Sequence, residues 1–543
     1  MLFKSLNARS KTVASAALLI GAAGMASRFA GVIRDRILSG TFGAGSQLDA
    51  YYAAFRAPDF IYNLFVIGAL TAGFIPVFSQ YLTAEGEAID ARKAWDFVSR
   101  LLTDLGAILA GLSVVGIFTA PAFVPYLTPG FGPDQAALTV KLTQIMFLSP
   151  IFLGLSAVFG GVLQSYRRFI VYSFAPIIYN LGIIGGALFL SRPFGVAGVA
   201  VGVVLGAFGH YFVQHWACRG LGFRFRPKLD LRDEGVKTIG KMMIPRTAGL
   251  AVSQVNLLIL TGMASTLGTG SIAVFNLANN LQSFPINILG VSFAVAAFPF
   301  ISELAAKGMK REVAVSFAKT AKLILFLILP ATVLFLLLRA QIVRVILGSG
   351  RFDWQDTVDT ADTLAYFTLS LFAQALLPLV TRAFFAFKDV VTPLLVGAAA
   401  VVVERVLAWQ LVRFGLGAPG LALAFSVASI FNLAALWLLL RLRTGGLGEK
   451  DILRSLVILS LCSAAMAAAV QGAKMALGGV VNMHTFVGVF SQAAVAAAAG
   501  TAVYLLLAFW FGSEEARTVL MYLRRRAAFV GVRQEGEQLK AEE

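Results

Sequence analysis

The stretch from Ser27 to Asn63 reads SRFAGVIRDRILSGTFGAGSQLDAYYAAFRAPDFIYN and places several charges in a chain that is otherwise strongly apolar. The charged positions are Arg28, Arg34, Asp35, Arg36, Asp49, Arg56 and Asp59. A charge at the centre of a bilayer costs roughly 2.5 to 3.5 kcal/mol on insertion scales, so a retained charge usually faces a partner or a watery cavity. We therefore expect these side chains to face the interior of a helix bundle.

The second half of this stretch has the spacing of one helix face. Its polar residues, separated alternately by three and four positions, are Asp49, Tyr52, Arg56, Asp59 and Asn63. Residues at this spacing lie on the same side of an α-helix. Asp49 and Arg56 are two turns apart, about 10 Å along the axis, which is too far for a direct pair. We expect each of them to find a partner on another helix or to meet water and substrate.

The composition identifies the class of protein. Of 543 residues, 58% are hydrophobic and 13% are charged, and long apolar runs recur to the end of the chain. This pattern predicts an all-α polytopic membrane protein. We predict about fourteen spans, centred on residues 12–36, 48–80, 96–120, 137–164, 169–191, 194–217, 240–267, 271–300, 317–345, 360–386, 391–413, 418–440, 452–477 and 485–511.

The net charge of +17 invites a nucleic-acid interpretation, but most of the excess lies in short loops and in the tail. Basic clusters fall on alternate connections, whereas residues 121–136 and 262–273 contain no Lys or Arg. The positive-inside rule then places the basic loops and both termini in the cytoplasm, and we expect no nucleic-acid partner. The alternative is a signal peptide cleaved near Ala26, which would delete most of the first helix.

An internal repeat organises the chain. The segment from Thr41 resembles the segment from Thr266, and SRFAGV at Ser27 aligns with PRTAGL at Pro245. We infer two six-helix lobes related by a parallel pseudo-two-fold repeat, with two further helices at the C-terminus. Such repeats usually hold a substrate site at their interface and alternate access by rocking. The predicted domains are 1–228, 229–446 and 447–512, followed by a cytoplasmic tail at 513–543.

The second repeat carries its own polar stripe in helix 8, formed by Asn276, Asn280, Ser283 and Asn287. The alternative role for such a stripe is to supply hydrogen bonds between helices. Pro58 and Pro285 lie within the two stripes and are expected to kink helices 2 and 8.

We find no constellation that predicts an enzyme. The sequence has no phosphate-binding GxxxxGK[ST] loop and no HExxH, and Cys218 and Cys462 are too isolated for a disulfide framework or a zinc site. We therefore expect no cofactor and no metal. Glu404 and Arg405, within helix 11, are candidate residues for coupling to an ion or proton, although adjacent positions point about 100° apart.

Several segments together resemble the MurJ/MviN family of lipid II flippases, which belongs to the multidrug/oligosaccharidyl-lipid/polysaccharide exporter superfamily. They are SRFAGVIRDRI, FGAGSQLDAYYAAFRAPDF, GALTAGFIPVF, PGF at Pro129, RRFIVYSFAPIIYN, GLAVSQVN and FPINILGV. The resemblance implies a fourteen-helix, two-lobed inner-membrane exporter, in which the last two helices, within 447–512, form a possible groove for the lipid tail. The chain departs from the family pattern in two helices: Tyr62 and Asn63 stand where helix 2 usually has arginines, and Asn280 stands in place of a helix 8 arginine.

The resemblance implies a transporter that flips lipid II from the cytoplasmic to the outer leaflet. The alternatives are export of another polyprenyl-linked glycan or small molecule, or a non-transporting scaffold of the same fold. We expect a monomer that contacts membrane lipids and a lipid-linked glycan. The candidate substrate-binding residues are Arg28, Arg34, Asp49, Arg56, Asp59, Asn63, Arg246 and Asn280.

Overall fold

The computed structural model describes residues 13–67, 70–82, 90–230, 234–519 and 521. Within these ranges the side chains of residues 13–20, 65, 67, 70–73, 91, 234–246 and 248–249 lie outside the description. The secondary structure of the described chain is helical almost throughout. The protein is therefore all-α, as the recurring apolar runs predict.

The helical segments are numbered α1 to α14 in chain order. The first seven are α1 (Val13–Phe42), α2 (Ser46–Tyr62, the π-helical turn Asn63–Ile67 and Leu70–Phe78), α3 (Ala91–Leu127), α4 (Pro133–Met146 and Ser149–Ser165), α5 (Phe169–Gly185, the π-helical turn Gly186–Leu190 and Ser191–Phe194), α6 (Val196–Arg219) and α7 (Glu234–Ser265).

The remaining seven are α8 (Ser271–Pro285, the π-helical turn Ile286–Val291 and Ser292–Ala306), α9 (Lys310–Leu337 and Arg339–Ile346), α10 (Trp354–Thr368 and Leu371–Ala386), α11 (Val391–Arg413), α12 (Gly417–Thr444), α13 (Glu449–Gly478) and α14 (Phe486–Trp510). Each predicted span overlaps one of these segments.

Among the described residues, ten helices are long and apolar enough to cross a membrane, and the two parts of α10, bent by 48°, make an eleventh. The prediction of a polytopic membrane protein is confirmed, while the count of fourteen spans is supported only roughly. A π-helical turn follows Pro58 in α2 and Pro285 in α8. Proline removes one backbone N–H from the helical ladder, so irregular turns are expected nearby.

The helices group into two compact units. The first comprises the described residues of Met1–Leu277, Ile346–Thr360 and Val401–Leu421, and the second those of Ala278–Val345, Ala361–Ala400 and Ala422–Glu543. Each unit has a hydrophobic core, which includes Phe74 and Phe159 in the first and Phe317 and Tyr504 in the second. The predicted lobe boundary at residue 228 stays a prediction.

Small residues hold α5 and α6 of the first unit close together. A Cβ atom added to Gly202 of α6 would lie 2.7 Å from the carbonyl oxygen of Gly182 and from the Cα of Gly186 in α5. Glycines spaced four apart let two membrane helices approach at backbone distance. This contact fixes α5, which supplies Asn180 to the polar interior described next.

Candidate polar site in the first unit

Arg34 of α1 is held by neighbours in the interior of the first unit. Its Nε and Nη2 donate to Oδ1 of Asp35 at 3.0 and 2.8 Å, and its Nη1 donates to Oδ1 of Asn180 at 3.1 Å. Asp35 is buried and Arg34 is partly exposed. Because a carboxylate compensates the guanidinium, Arg34 contributes little net positive charge to the surrounding space.

Arg56 of α2 is held differently, by neutral oxygens. Its Nε donates to Oγ1 of Thr261 in α7 at 2.8 Å, and its Nη2 donates to Oδ1 of Asn276 in α8 at 2.6 Å. Thr261 and Asn276 in turn donate to backbone carbonyls of their own helices. Within the described chain, no carboxylate forms an ion pair with Arg56. Its positive charge is therefore fixed in position and uncompensated by an ion pair.

Arg28 and Asp59 complete the charged interior. Both are half-buried, and neither side chain has a hydrogen bond or an ion pair to a described residue. Asp59 lies within electrostatic range of Arg56 and Arg34, although it contacts neither. Half-buried charges without a hydrogen bond or an ion pair to a described residue are typical of groups that face water or a ligand inside a membrane protein.

Asp49 has a structural environment that the helical pattern alone does not reveal. Its carboxylate is 2% exposed and accepts from the backbone N–H of Gly270 at 2.6 Å and of Ala273 at 2.8 Å. These two groups belong to the N-terminus of α8, where four backbone N–H groups lack helical partners and a negative charge is favourable. Asp49 therefore caps α8 from α2. Of the two predicted environments, a partner on another helix or water and substrate, the structure shows the first for both Asp49 and Arg56.

The other predicted residues are dispersed. Asn63 donates through Nδ2 to the carbonyl of Asp59 at 2.8 Å, within its own helix. Asn280 is exposed and belongs to the second unit. Arg246 lies in α7, and its side chain is outside the described residues. The site role of these three residues stays a prediction.

Four interhelical turns at one end of the first unit are bonded to one another. We call residues 40–45, 128–132, 265–273 and 346–356 the turn cluster. Its bonds include Ala44 N–H to Oδ2 of Asp356 at 3.0 Å and Gly130 N–H to Oγ of Ser265 at 3.2 Å. At Gly270, where φ is +91°, an added Cβ would lie 2.0 Å from the carbonyl oxygen of Ala44. These contacts leave no room for a side chain between the turns.

The two candidate coupling residues on α11, Glu404 and Arg405, have different environments. Glu404 is 3% exposed, and its Oε2 accepts from Nδ2 of Asn256 in α7 at 2.9 Å. Its Oε1 is buried without a hydrogen-bond partner among the described residues. Arg405, the next residue of the same helix, is exposed. A buried carboxylate with one unsatisfied oxygen is costly, so a bound proton or cation would stabilise it.

The prediction of site residues did not include Asp35, Asn180, Thr261 and Asn276, which orient the two arginines. Asn276 was identified only as part of a polar stripe. Among the described residues, no cluster of three or more His, Cys, Asp or Glu side chains could hold a metal ion.

Comparison with known proteins identifies the family of this chain. A family model described as lipid II flippase MurJ matches residues 38–491. The chain belongs to the MurJ family. A probable lipid II flippase MurJ of Rhizobium tropici is 30% identical over 94% of this chain and 96% of its own length. The lipid II flippase MurJ of Burkholderia cenocepacia is 29% identical over 77% of this chain and 81% of its own length.

Solved structures agree on the fold. A lipid II flippase MurJ in an inward closed conformation has a TM-score of 0.75, is 23% identical, and is matched over 91% of this chain and 98% of its own. An inward-facing multidrug resistance MATE family transporter has a TM-score of 0.63 and 17% identity over 78% of this chain and 96% of its own. Membership of the MurJ family makes this protein a transporter of the bacterial inner membrane and not an enzyme.

Proposed function

We propose that this protein flips lipid II, a polyprenyl-pyrophosphate-linked peptidoglycan precursor, from the cytoplasmic to the outer leaflet by alternating access. The observation that carries the proposal is the pair of interior arginines, Arg28 and Arg56, which have no carboxylate partner in the described chain. A pyrophosphate brings negative charge and several acceptor oxygens, and arginine binds such groups as a planar fork. Family membership supports the same substrate.

The roles of the polar residues follow from their contacts. Arg56 donates from two nitrogens to Thr261 and Asn276. No described residue accepts a hydrogen bond from its Nη1, which is therefore available to a phosphate oxygen. Arg28 offers a second guanidinium on α1. Asp35 and Asn180 hold Arg34 in one orientation, so this arginine adds hydrogen-bonding capacity with little added charge. Asp59 places an acceptor for hydroxyl or amide groups of the headgroup beside the arginines.

Alternating access requires that the turn cluster separates at one stage of transport. The positive-inside rule assigns this end to the outer face, because the segments 121–136 and 262–273 contain no Lys or Arg and the turn cluster as a whole contains a single basic residue, Arg351. Asp49, capping α8, and Asp356, bonded to Ala44, then belong to the outer gate. In this assignment both termini lie in the cytoplasm. We expect the transporting unit to be a monomer.

Glu404 is the proposed coupling residue. Its unsatisfied oxygen suits a carboxylate that gains and loses a proton as the protein changes conformation. Arg405, which is exposed, has no part in this step. The proposal accords with the absence of acidic residues from the membrane span of α7 at 245–265, where a sodium ligand would be expected.

The second candidate within transport is export of another polyprenyl-linked glycan. The observation that favours it is the set of departures at Tyr62, Asn63 and Asn280, where the chain has no arginine and the resemblance implies one. A small cationic substrate is disfavoured by the uncompensated charges of Arg28 and Arg56. A scaffold without transport activity is the remaining alternative.

Complementation separates these functions. A bacterial strain depleted of its own lipid II flippase should grow when this chain is expressed, and an Arg56→Ala variant at equal membrane abundance should fail to support growth. Rescue by both proteins would remove the arginine from the mechanism. Failure of the unmodified chain, despite correct membrane insertion, would remove lipid II as its substrate.

A further inference from the structure

A cavity of about 580 Å³ opens in the second unit. Its walls are the start of α9, the turn after α12, the first turn of α13 and Glu514, which follows α14. The three basic residues of the lining, Arg311, Lys319 and Lys322, all belong to α9. The positions 311, 315, 319 and 322 share one face of that helix. One wall of the cavity is therefore basic and is formed by a single face of α9.

The positive charge is concentrated at the mouth. Lys322 lies deeper, with 13% of its side chain exposed, and pairs with Glu514 at 2.9 Å and Glu515 at 3.6 Å. The hydrogen bond from Lys322 lowers the pKa of Glu514, so this pair stays ionised and mutually engaged. Arg311 and Lys319 are exposed and form no ion pair with a described residue. Against them the lining sets one further acid, Asp451.

The turn between α12 and α13 contributes backbone to the lining. Gly445, Gly446 and Gly448 have φ angles of 81°, 138° and 71°, so the turn brings main chain to the cavity where a side chain would be strained. Gly448 is the N-cap of α13 and supplies no side-chain hydrogen bond to the first turn. The N-terminus of a helix favours anions; the first turn of α13 carries Glu449 and Asp451, and it lines the same cavity as the basic residues Arg311 and Lys319.

We propose that this cavity binds the phosphate of an anionic phospholipid headgroup. It lies where four candidate membrane spans, α9, α12, α13 and α14, begin or end, so its depth is that of a bilayer surface. The residues Val315, Ala314 and Ala318 give it an apolar side next to the basic one. The cytoplasmic leaflet, to which the positive-inside rule assigns the basic loops, contains anionic lipids, and these lipids bind basic pockets between helices.

Native mass spectrometry of the full chain tests this site. The protein is released from nanodiscs that contain phosphatidylglycerol and phosphatidylcholine in equal amounts, and the lipids that remain bound are counted. We expect one retained phosphatidylglycerol per chain. Arg311→Ala combined with Lys319→Ala should weaken retention about fivefold for each charge removed, which corresponds to about 1 kcal/mol per residue near the membrane surface.

Two further variants keep the test decisive. Lys307→Ala is the matched control, because Lys307 is also basic and exposed but pairs with Glu303 and does not line the cavity. Val315→Trp fills the cavity without changing its charge and should also reduce retention. Equal retention in all variants would overturn the proposal. Displacement of the lipid by inorganic phosphate, with no preference for phosphatidylglycerol, would indicate a free-anion site and overturn the lipid assignment.

Discussion

At the scale of single residues, Asp49 links stability with transport. Its two carboxylate oxygens cap the N-terminus of α8, and loss of an N-cap costs about 0.5 to 2 kcal/mol. We therefore expect Asp49→Ala to lower the thermal unfolding temperature of the purified protein. Asp49→Asn keeps one oxygen acceptor and should recover part of the loss.

Asp362→Ala is the control for this prediction. Asp362 is half exposed and pairs with Arg339 at 3.7 Å, and such surface pairs contribute little to stability. If Asp49→Ala abolished transport without changing the unfolding temperature, the capping role would be secondary to a role in substrate binding.

Arg56 carries the second prediction at this scale. Lysine keeps the charge but cannot bond Thr261 and Asn276 while presenting another nitrogen to a ligand. Because hydrogen bonds from charged groups contribute about 1.5 to 3 kcal/mol, Arg56→Lys should reduce the transport rate roughly 10- to 100-fold. Arg405→Lys, at an exposed position of α11, should transport normally. Equal transport by both variants would show that only charge is needed at position 56.

The environment of these residues could be predicted from the sequence only in part. Helical spacing identified Asp49, Arg56 and Asp59 as one interior face, and the structure places them inside the first unit. It could not identify what Asp49 binds, since Gly270 lies 221 positions further along the chain. Thr261 gave no signal, because threonine is common in membrane helices and its role depends on a tertiary contact.

At the scale of helices, the α5–α6 contact makes a prediction with a matched control. Gly202→Ala places a methyl group 2.7 Å from backbone atoms of α5, and overpacking of this kind typically costs 1 to 3 kcal/mol. Gly185→Ala on α5 meets nothing within 4 Å and should be neutral or stabilising. Thermal unfolding of the two variants in the same detergent measures the difference. Equal stability would mean that the helices separate more easily than this packing implies.

The positions of the helices could be predicted from the sequence more completely than the irregular turns within them. Apolar runs located every segment, because the bilayer fixes both the length and the composition of a span. Pro58 and Pro285 indicated irregularity in α2 and α8, and π-helical turns follow both. The turn in α5 at Gly186–Leu190 was not predicted. Its glycine packing against α6 needs the partner helix to be known.

At the scale of the whole molecule, the repeat predicts that Arg246 takes the role of the arginine that is missing at position 280. PRTAGL aligns with SRFAGV, so Arg246 is the counterpart of Arg28, and Asn280 stands where the family pattern has an arginine. If Arg246 binds pyrophosphate, Arg246→Lys should impair transport severely, because a phosphate fork needs a guanidinium. Asn280→Arg should partly restore an Arg246→Ala variant. Normal transport by Arg246→Lys, without rescue by Asn280→Arg, would identify Arg246 as a residue that reaches the membrane surface.

The most direct measurement of the central claim is lipid II flipping by the purified protein in vesicles. Fluorescent lipid II is placed in one leaflet, and its appearance in the other is followed with a reagent that cannot cross the membrane. We predict that the unmodified chain moves lipid II, whereas a folded variant carrying both Arg28→Ala and Arg56→Ala moves it no faster than protein-free vesicles. Transfer by the double variant at the rate of the unmodified chain would contradict the account.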